Sequence, residues 1–191
     1  IVIFSGEGSD EIMCGYLYFH YAPDGHAAHA ESARLISDLY LFDCLRADRC
    51  ISCHGLELRV PFLDKDVVDY CLTQIPGNQK HPKNGGIEKH ILRELFRNDL
   101  PARVINRRKD GFSDGVSSRQ KSWYQYIQEY ADNQVGEVFE VSKEAQLYKN
   151  IYYSIHKFGH PCVPYYWMPK WITLSDPGNP SGRILKVFQD E

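Results

Sequence analysis

Apolar residues fall along this chain in two patterns, a short continuous run and a series of helical spacings, which separate one strand from a succession of helices. Ile1-Val2-Ile3-Phe4 is β-branched and closed by Ser5-Gly6, which predicts a buried parallel strand. A tight loop follows from Ser5 to Ser9, and Asp10 to Phe19 reads as a helix broken by Pro23, Asp24 and Gly25. From Glu31 to Arg49, Leu35, Leu39, Phe42 and Leu45 recur at helical spacing. Glu31, Arg34, Asp38, Asp43 and Arg46 take the polar positions, making this the clearest helix in the sequence. Leu56 to Leu63 is extended and carries a proline, and Asp64 is a good N-cap for a helix through Leu72, ended by Pro76-Gly77. Ile87, Ile91, Leu92, Leu95 and Phe96 mark a further helix stopped by Asn98 and Pro101. The polar, basic stretch Asn106 to Ser118 reads as a loop. Helical spacing returns at Trp123 to Tyr130 and at Leu147, Ile151 and Ile155. The proline-rich tail from Pro161, with Tyr165-Tyr166-Trp167 and Trp171, predicts a wrapping coil with a frayed end. One strand and many helices describe a helix-rich α/β protein, a helical lobe at the edge of a sheet.

Composition narrows the classes. With 191 residues, 43% hydrophobic and 25% charged, the chain is globular. No apolar stretch approaches the ~20 residues of a membrane span. A net charge of -3 supplies no general field for nucleic acid, so neither a membrane nor a nucleic acid is an expected partner. Cys14, Cys44, Cys50, Cys53, Cys71 and Cys162 are irregularly spread, which predicts reduced thiols and a cytoplasmic setting rather than a disulfide framework. Cys50-Ile51-Ser52-Cys53-His54 spells a haem-attachment pattern. Nothing in the sequence points to the export such attachment requires. Ile1 is not preceded by an initiator Met, so the chain is expected to be a piece of a longer protein.

Candidate chemistry begins at Ser5-Gly6-Glu7-Gly8-Ser9-Asp10-Glu11. A strand, a glycine-rich turn and a helix start present free backbone N–H groups to an anion. Glu7, Asp10 and Glu11 would repel bare phosphates, and fit such a loop if Mg²⁺ intervenes or if one carboxylate acts as a base. The loop lacks the third glycine of a dinucleotide fingerprint and the Gly-Lys-Ser/Thr of a Walker loop. The alternative is an acidic helix start with no ligand. A second cluster, Arg107-Arg108-Lys109-Asp110-Gly111-Phe112-Ser113-Asp114-Gly115, sets three cations in a row that suit either a polyphosphate or a solvated surface loop. The third segment, His54 to Asp64, alternates charge with apolar residues. Its Glu57 and Arg59 would be half-buried in an ion pair or line a site.

These segments together resemble the carboxy-terminal part of the glutamine-dependent asparagine synthetases. The matching stretches are Ser5 to Glu11 with Gly15-Tyr16, Leu45-Arg46-Ala47-Asp48-Arg49, His54 to Asp64, Gly86-Ile87-Glu88-Lys89-His90, and Lys109 with Phe112-Ser113-Asp114-Gly115. Tyr166-Trp167-Met168-Pro169-Lys170-Trp171 is most similar to the animal-type enzymes. The likeness runs from residue 1 to about residue 177, with 178–191 left as a flexible tail.

The resemblance implies a synthetase domain of the adenine-nucleotide α-hydrolase-like, PP-loop ATP pyrophosphatase type. It implies ATP and Mg²⁺ as cofactors, aspartate as substrate, and ammonia from a glutaminase domain. Through a β-aspartyl-adenylate the family makes asparagine, AMP and pyrophosphate, and the parent protein is expected to be a homodimer. Carried over by position, Ser5 and Gly6 match nucleotide contacts, Glu7 the glutamate of intermediate formation and base chemistry, Asp10 the carboxylate holding Mg²⁺-pyrophosphate, and Lys109 the lysine on the phosphates. Cys14, Arg108, Asp110 and Gly111 depart from the family pattern. The glutaminase domain with its amino-terminal Cys, and the family's first Ser-Gly-Gly-x-Asp-Ser loop, have no match here, so the isolated chain is expected to be inactive. A β-lactam-synthetase-like adenylating enzyme and a truncated docking module are the competing readings.

Overall fold

The computed structural model describes residues 1–118, 120–157, 165 and 167–172. The predicted tail from Pro161 lies outside the described residues apart from 165 and 167–172, and the 178–191 segment lies outside them altogether. The chain divides into two compact units, Ile1–Lys109 and Asp110–Glu191.

The first unit opens with β1 (Val2–Phe4), which pairs in parallel with β2 (Glu57–Arg59), Val2 opposite Glu57 and Phe4 opposite Arg59. The parallel pairing agrees with the β-branched run, but the expected burial does not hold. Ile1 is 94% exposed and Phe4 74%. Among the described residues β1 has one strand neighbour, so its apolar side chains are not enclosed by a sheet.

Helix α1 (Ser9–Ile12) is a single turn, not the ten-residue helix predicted to Phe19. Cys14 sits in the left-handed region at φ 51, which no helix continues through, and the chain resumes as a 3₁₀ turn over Leu17–Tyr21. α2 (Gly25–Asp38) starts where Asp24 accepts a hydrogen bond from the Ala27 backbone N at 2.8 Å. The long helix predicted over Glu31 to Arg49 is two helices. A 3₁₀ turn at Leu39–Leu41 and a non-helical Phe42 (φ -123, ψ -101) divide α2 from α3 (Asp43–Ser52). Glu31, assigned above to the polar face, is fully buried. Its oxygens accept from Tyr18 Oη at 2.9 Å and from Arg34 Nε and Nη2 at 2.8 and 2.6 Å, so the carboxylate is paired where it is desolvated.

α4 (Lys65–Thr73) follows the predicted cap: Asp64 accepts from the Asp66 backbone N at 2.9 Å. Short helices α5 (Gly77–Lys80) and α6 (Pro82–Gly85) precede α7 (His90–Leu95) and α8 (Ala102–Ile105). Ile12, Met13 and Cys71 form one buried cluster, with Ile36, Phe62, Val68 and Ile75 packed against it. That cluster fixes the end of the Ser5–Glu11 loop against α2 and α4.

The second unit carries α9 (Phe112–Gly115), a helical turn within the stretch predicted to be all loop. α10 (Trp123–Gln134) begins where Gln125 Oε1 accepts from the Ser122 backbone N at 2.8 Å. α11 (Lys143–Ile155) begins where Ser142 accepts from the Ala145 N at 3.1 Å. Ala131, Val135 and Leu147 make the core of this helix pair. Among the described residues no helix is long and apolar enough to cross a membrane.

Candidate functional site

The Ser5–Glu11 loop leaves the end of β1, and β2 holds its first residue: the Ser5 backbone N donates to Arg59 O at 2.9 Å. Gly8 turns the chain at φ 89, where a side chain is strained, and a Cβ there would lie 2.2 Å from Leu63 Cδ2. The His54–Asp64 segment thus supports the loop through backbone pairing and through Leu63. Its charged residues do not line a site in this arrangement. Glu57 and Arg59 are exposed and pair with each other.

Asp10 is the centre of the cluster. Lys109 Nζ donates to its Oδ2 at 3.0 Å, and Lys89 Nζ stands 2.9 Å from its Oδ1. All three side chains are under one-fifth exposed. Burial works to raise the Asp10 carboxyl, but the Lys109 and Lys89 ammonium groups outweigh it and hold the acid below the usual carboxylate range. Gly15 makes room for this acid, since a Cβ there would lie 2.2 Å from Asp10 Oδ1 and 2.8 Å from Asp10 Cα. Lys109 also lies over the Tyr16 ring, 5.6 Å from its centroid.

Glu7 points elsewhere. Arg46 Nη2 reaches Glu7 Oε1 at 3.1 Å and Asp43 Oδ1 at 3.0 Å, so the Leu45–Arg49 segment orients the loop glutamate. Glu11 is 2% exposed and accepts from the Tyr16 hydroxyl. Its carboxyl is pushed up to about 7, chiefly by burial, with Asp10 and Asp43 adding to the rise. Ser5 is half-buried and Gly6 exposed, at the mouth of the turn. The dipole expected at the helix start contributes little, because α1 is only four residues long.

The structure therefore joins Asp10 to Lys109 and the loop to the Leu45–Arg49 and His54–Asp64 segments. It also adds Lys89, to which sequence reasoning assigned no role. Lys89 lies inside a run that reads as a regular helix. In fact it stands at φ 54, ψ 32, just before α7 begins, which turns it out of the helix pattern. Its place in Gly86-Ile87-Glu88-Lys89-His90 was the available signal. Lys89 and Lys109 also line a cleft of about 640 Å³ together with Arg93, Arg107, Phe62 and Leu92. Chemically, the arrangement suits an oxyanion that gathers charge during a reaction: two ammonium groups are already oriented, and the carboxylate between them lowers their mutual repulsion.

The sequence model described as asparagine synthase matches residues 22–154. Curated proteins carrying the name asparagine synthetase (glutamine-hydrolyzing) align over 203 residues at 44% identity in Gallus gallus, 45% in Homo sapiens and 46% in Mesocricetus auratus. Each alignment covers 99% of this chain and 35% of the relative, so the chain spans about a third of the length of the curated proteins it matches.

Proposed function

The chain belongs to the asparagine synthase family, and on that premise we propose that it carries part of an ATP-dependent carbon–nitrogen ligase site that converts aspartate to asparagine. The fold expected for such a site is the PP-loop pyrophosphatase type. In the reaction, an aspartate side-chain oxygen attacks the α-phosphorus of ATP and displaces pyrophosphate. Ammonia, derived from glutamine, then attacks the activated carbonyl and releases AMP. A free carboxylate is a poor electrophile, and the adenylate gives it a leaving group.

The observation that carries this reading is the Lys109–Asp10–Lys89 bridge at the end of the Ser5–Glu11 loop. Pyrophosphate gains charge as it leaves, and Lys109 and Lys89 are set to take up that charge in a partly enclosed cleft. At the open turn Gly6 approaches the nucleotide with its backbone N–H, and Ser5, whose backbone N is held by Arg59 O, with its side chain. Glu7, held by Arg46, accepts the proton that ammonia sheds as the C–N bond forms.

Magnesium accompanies ATP in many such reactions. The residues as arranged do not fit a resident ion: each Asp10 oxygen faces an ammonium group, and among the described residues no three His, Cys, Asp or Glu side chains converge.

The test replaces the matching stretch of the chicken enzyme with residues 1–191 and supplies aspartate, ATP and ammonia. Equal yields of asparagine and AMP are expected. ATP cleavage to ADP, or no aspartate-dependent turnover from a folded chimera, would contradict the proposal.

A further inference from the structure

Lys89 holds a conformation that a lysine does not choose by itself. At φ 54 it sits in the left-handed region, a strained conformation for a non-glycine residue that persists only where the surroundings hold it. Those surroundings are specific. The preceding residue, Glu88, is 4% exposed, and its Oε1 meets His20 Nε2 at 2.6 Å. The Glu88 backbone carbonyl accepts from Arg93 Nε at 2.7 Å, and Arg93 is anchored in turn by donating from Nη1 to the Ile105 carbonyl. Glu88 is therefore tied through its side chain to the 3₁₀ turn at Leu17–Tyr21 and through its backbone to α7 and α8.

One detail argues against a role in packing alone. Glu88 Oε2 is buried and has no hydrogen-bond partner among the described residues. A buried oxygen without a partner is destabilising, so an apolar residue would serve simple packing better.

We propose that Glu88 and His20 form a positioning pair that locks the backbone at Lys89 and thereby sets its ammonium group opposite Lys109 across Asp10. This rests on the reading of the two lysines as the groups that receive pyrophosphate. Neither Glu88 nor His20 need touch a substrate. Their effect passes through Lys89.

The experiment uses the 191-residue chain and titrates metal-free inorganic pyrophosphate by calorimetry in the presence of a chelator. Lys89→Ala is expected to weaken binding at least roughly tenfold, the scale of one charge-assisted hydrogen bond. Glu88→Ala is expected to weaken it to a similar degree, while Glu88→Gln, which can still accept from His20, retains more. The combined Glu88→Ala/Lys89→Ala variant should bind no worse than Lys89→Ala alone, whereas Glu88→Ala and Lys109→Ala should add. Where Lys89→Ala weakens binding, unchanged affinity in Glu88→Ala, or losses that add to those of Lys89→Ala, would overturn the proposal. His20→Leu, which removes the donor to Glu88, provides a second route should Glu88→Ala fail to fold, with the same loss of affinity expected.

A second readout needs no ligand. The coupling between Asp10 and Lys89, taken from denaturant unfolding of Asp10→Asn, Lys89→Ala and their combination, should vanish in the Glu88→Ala background. Its persistence there would refute the positioning pair. If the coupling vanishes but Lys89→Ala leaves pyrophosphate binding unaltered, the positioning pair stands and the pyrophosphate reading of Lys89 fails.

Discussion

Lys109 Nζ and Asp10 Oδ2 stand 3.0 Å apart although 99 residues separate them in sequence. That contact brings the basic Arg107-Arg108-Lys109 run to the acidic glycine-rich loop, two segments with little meaning alone. It also explains why an acid is tolerated where phosphate is expected. Asp10 neutralises part of the charge on two lysines that would otherwise repel each other.

Gly15 is predicted to be intolerant of even a methyl group. Its Cβ would overlap Asp10 Oδ1 at 2.2 Å and the Asp10 backbone at 2.8 Å, so the acid must move off its lysines. Gly15→Ala should cost about 1–3 kcal/mol, the usual scale of overpacking, measured by denaturant unfolding. A neutral effect would mean that Asp10 is not held as described.

Glu7 should be separable from folding. Glu7→Gln keeps the shape of a half-exposed side chain, so stability should change by only about 0.5 kcal/mol. In the chicken-enzyme chimera, asparagine formation should fall by roughly 10²–10⁴, the range of a positioned general base. Arg46→Ala should reduce turnover less, because it frees the glutamate without removing it. Steady-state rates on folded variants check both expectations.

Glu11 makes stability depend on pH. Its carboxyl lies near 7 in the folded chain, against 4.5 unperturbed, so between those values the folded state holds a proton that the unfolded state has lost. Stability from this group is present below pH 4.5 and declines as pH rises, levelling off above about 7. Glu11→Gln, which still accepts from Tyr16, should match the wild type near pH 4.5. At pH 8 it should exceed it by up to about 3 kcal/mol. Parallel unfolding curves from pH 4.5 to 8 would decide it, and an unchanged difference across that range would count against the assignment.

Several of these features were legible from residue order. The Ser5–Glu11 loop, the Asp64 cap and the parallel β1 follow from local patterns that the structure repeats. Other features depend on partners distant in sequence. Glu31 reads as solvent-facing because helical spacing says nothing of Tyr18, which makes its burial affordable. The helix from Asp10 stops at Ile12 because Cys14 turns left-handed, a residue type that gives no such warning. Lys89 escaped notice for the same reason, since its position follows from the backbone angle at residue 89 and not from the spacing of its neighbours.

Lys109 and Lys89 are proposed to receive the pyrophosphate released when aspartate is adenylated. Aspartate-dependent exchange of labelled pyrophosphate into ATP by the chimera measures that step without the amination that follows. Clear exchange is expected, reduced by roughly 10²–10³ in Lys109→Ala, the scale of losing one preorganised electrostatic partner. Lys89→Ala should also reduce it, and Lys109→Arg should not restore it fully, because a planar fork does not replace a mobile point charge. Undiminished exchange in folded Lys109→Ala and Lys89→Ala variants would show that neither lysine receives the pyrophosphate.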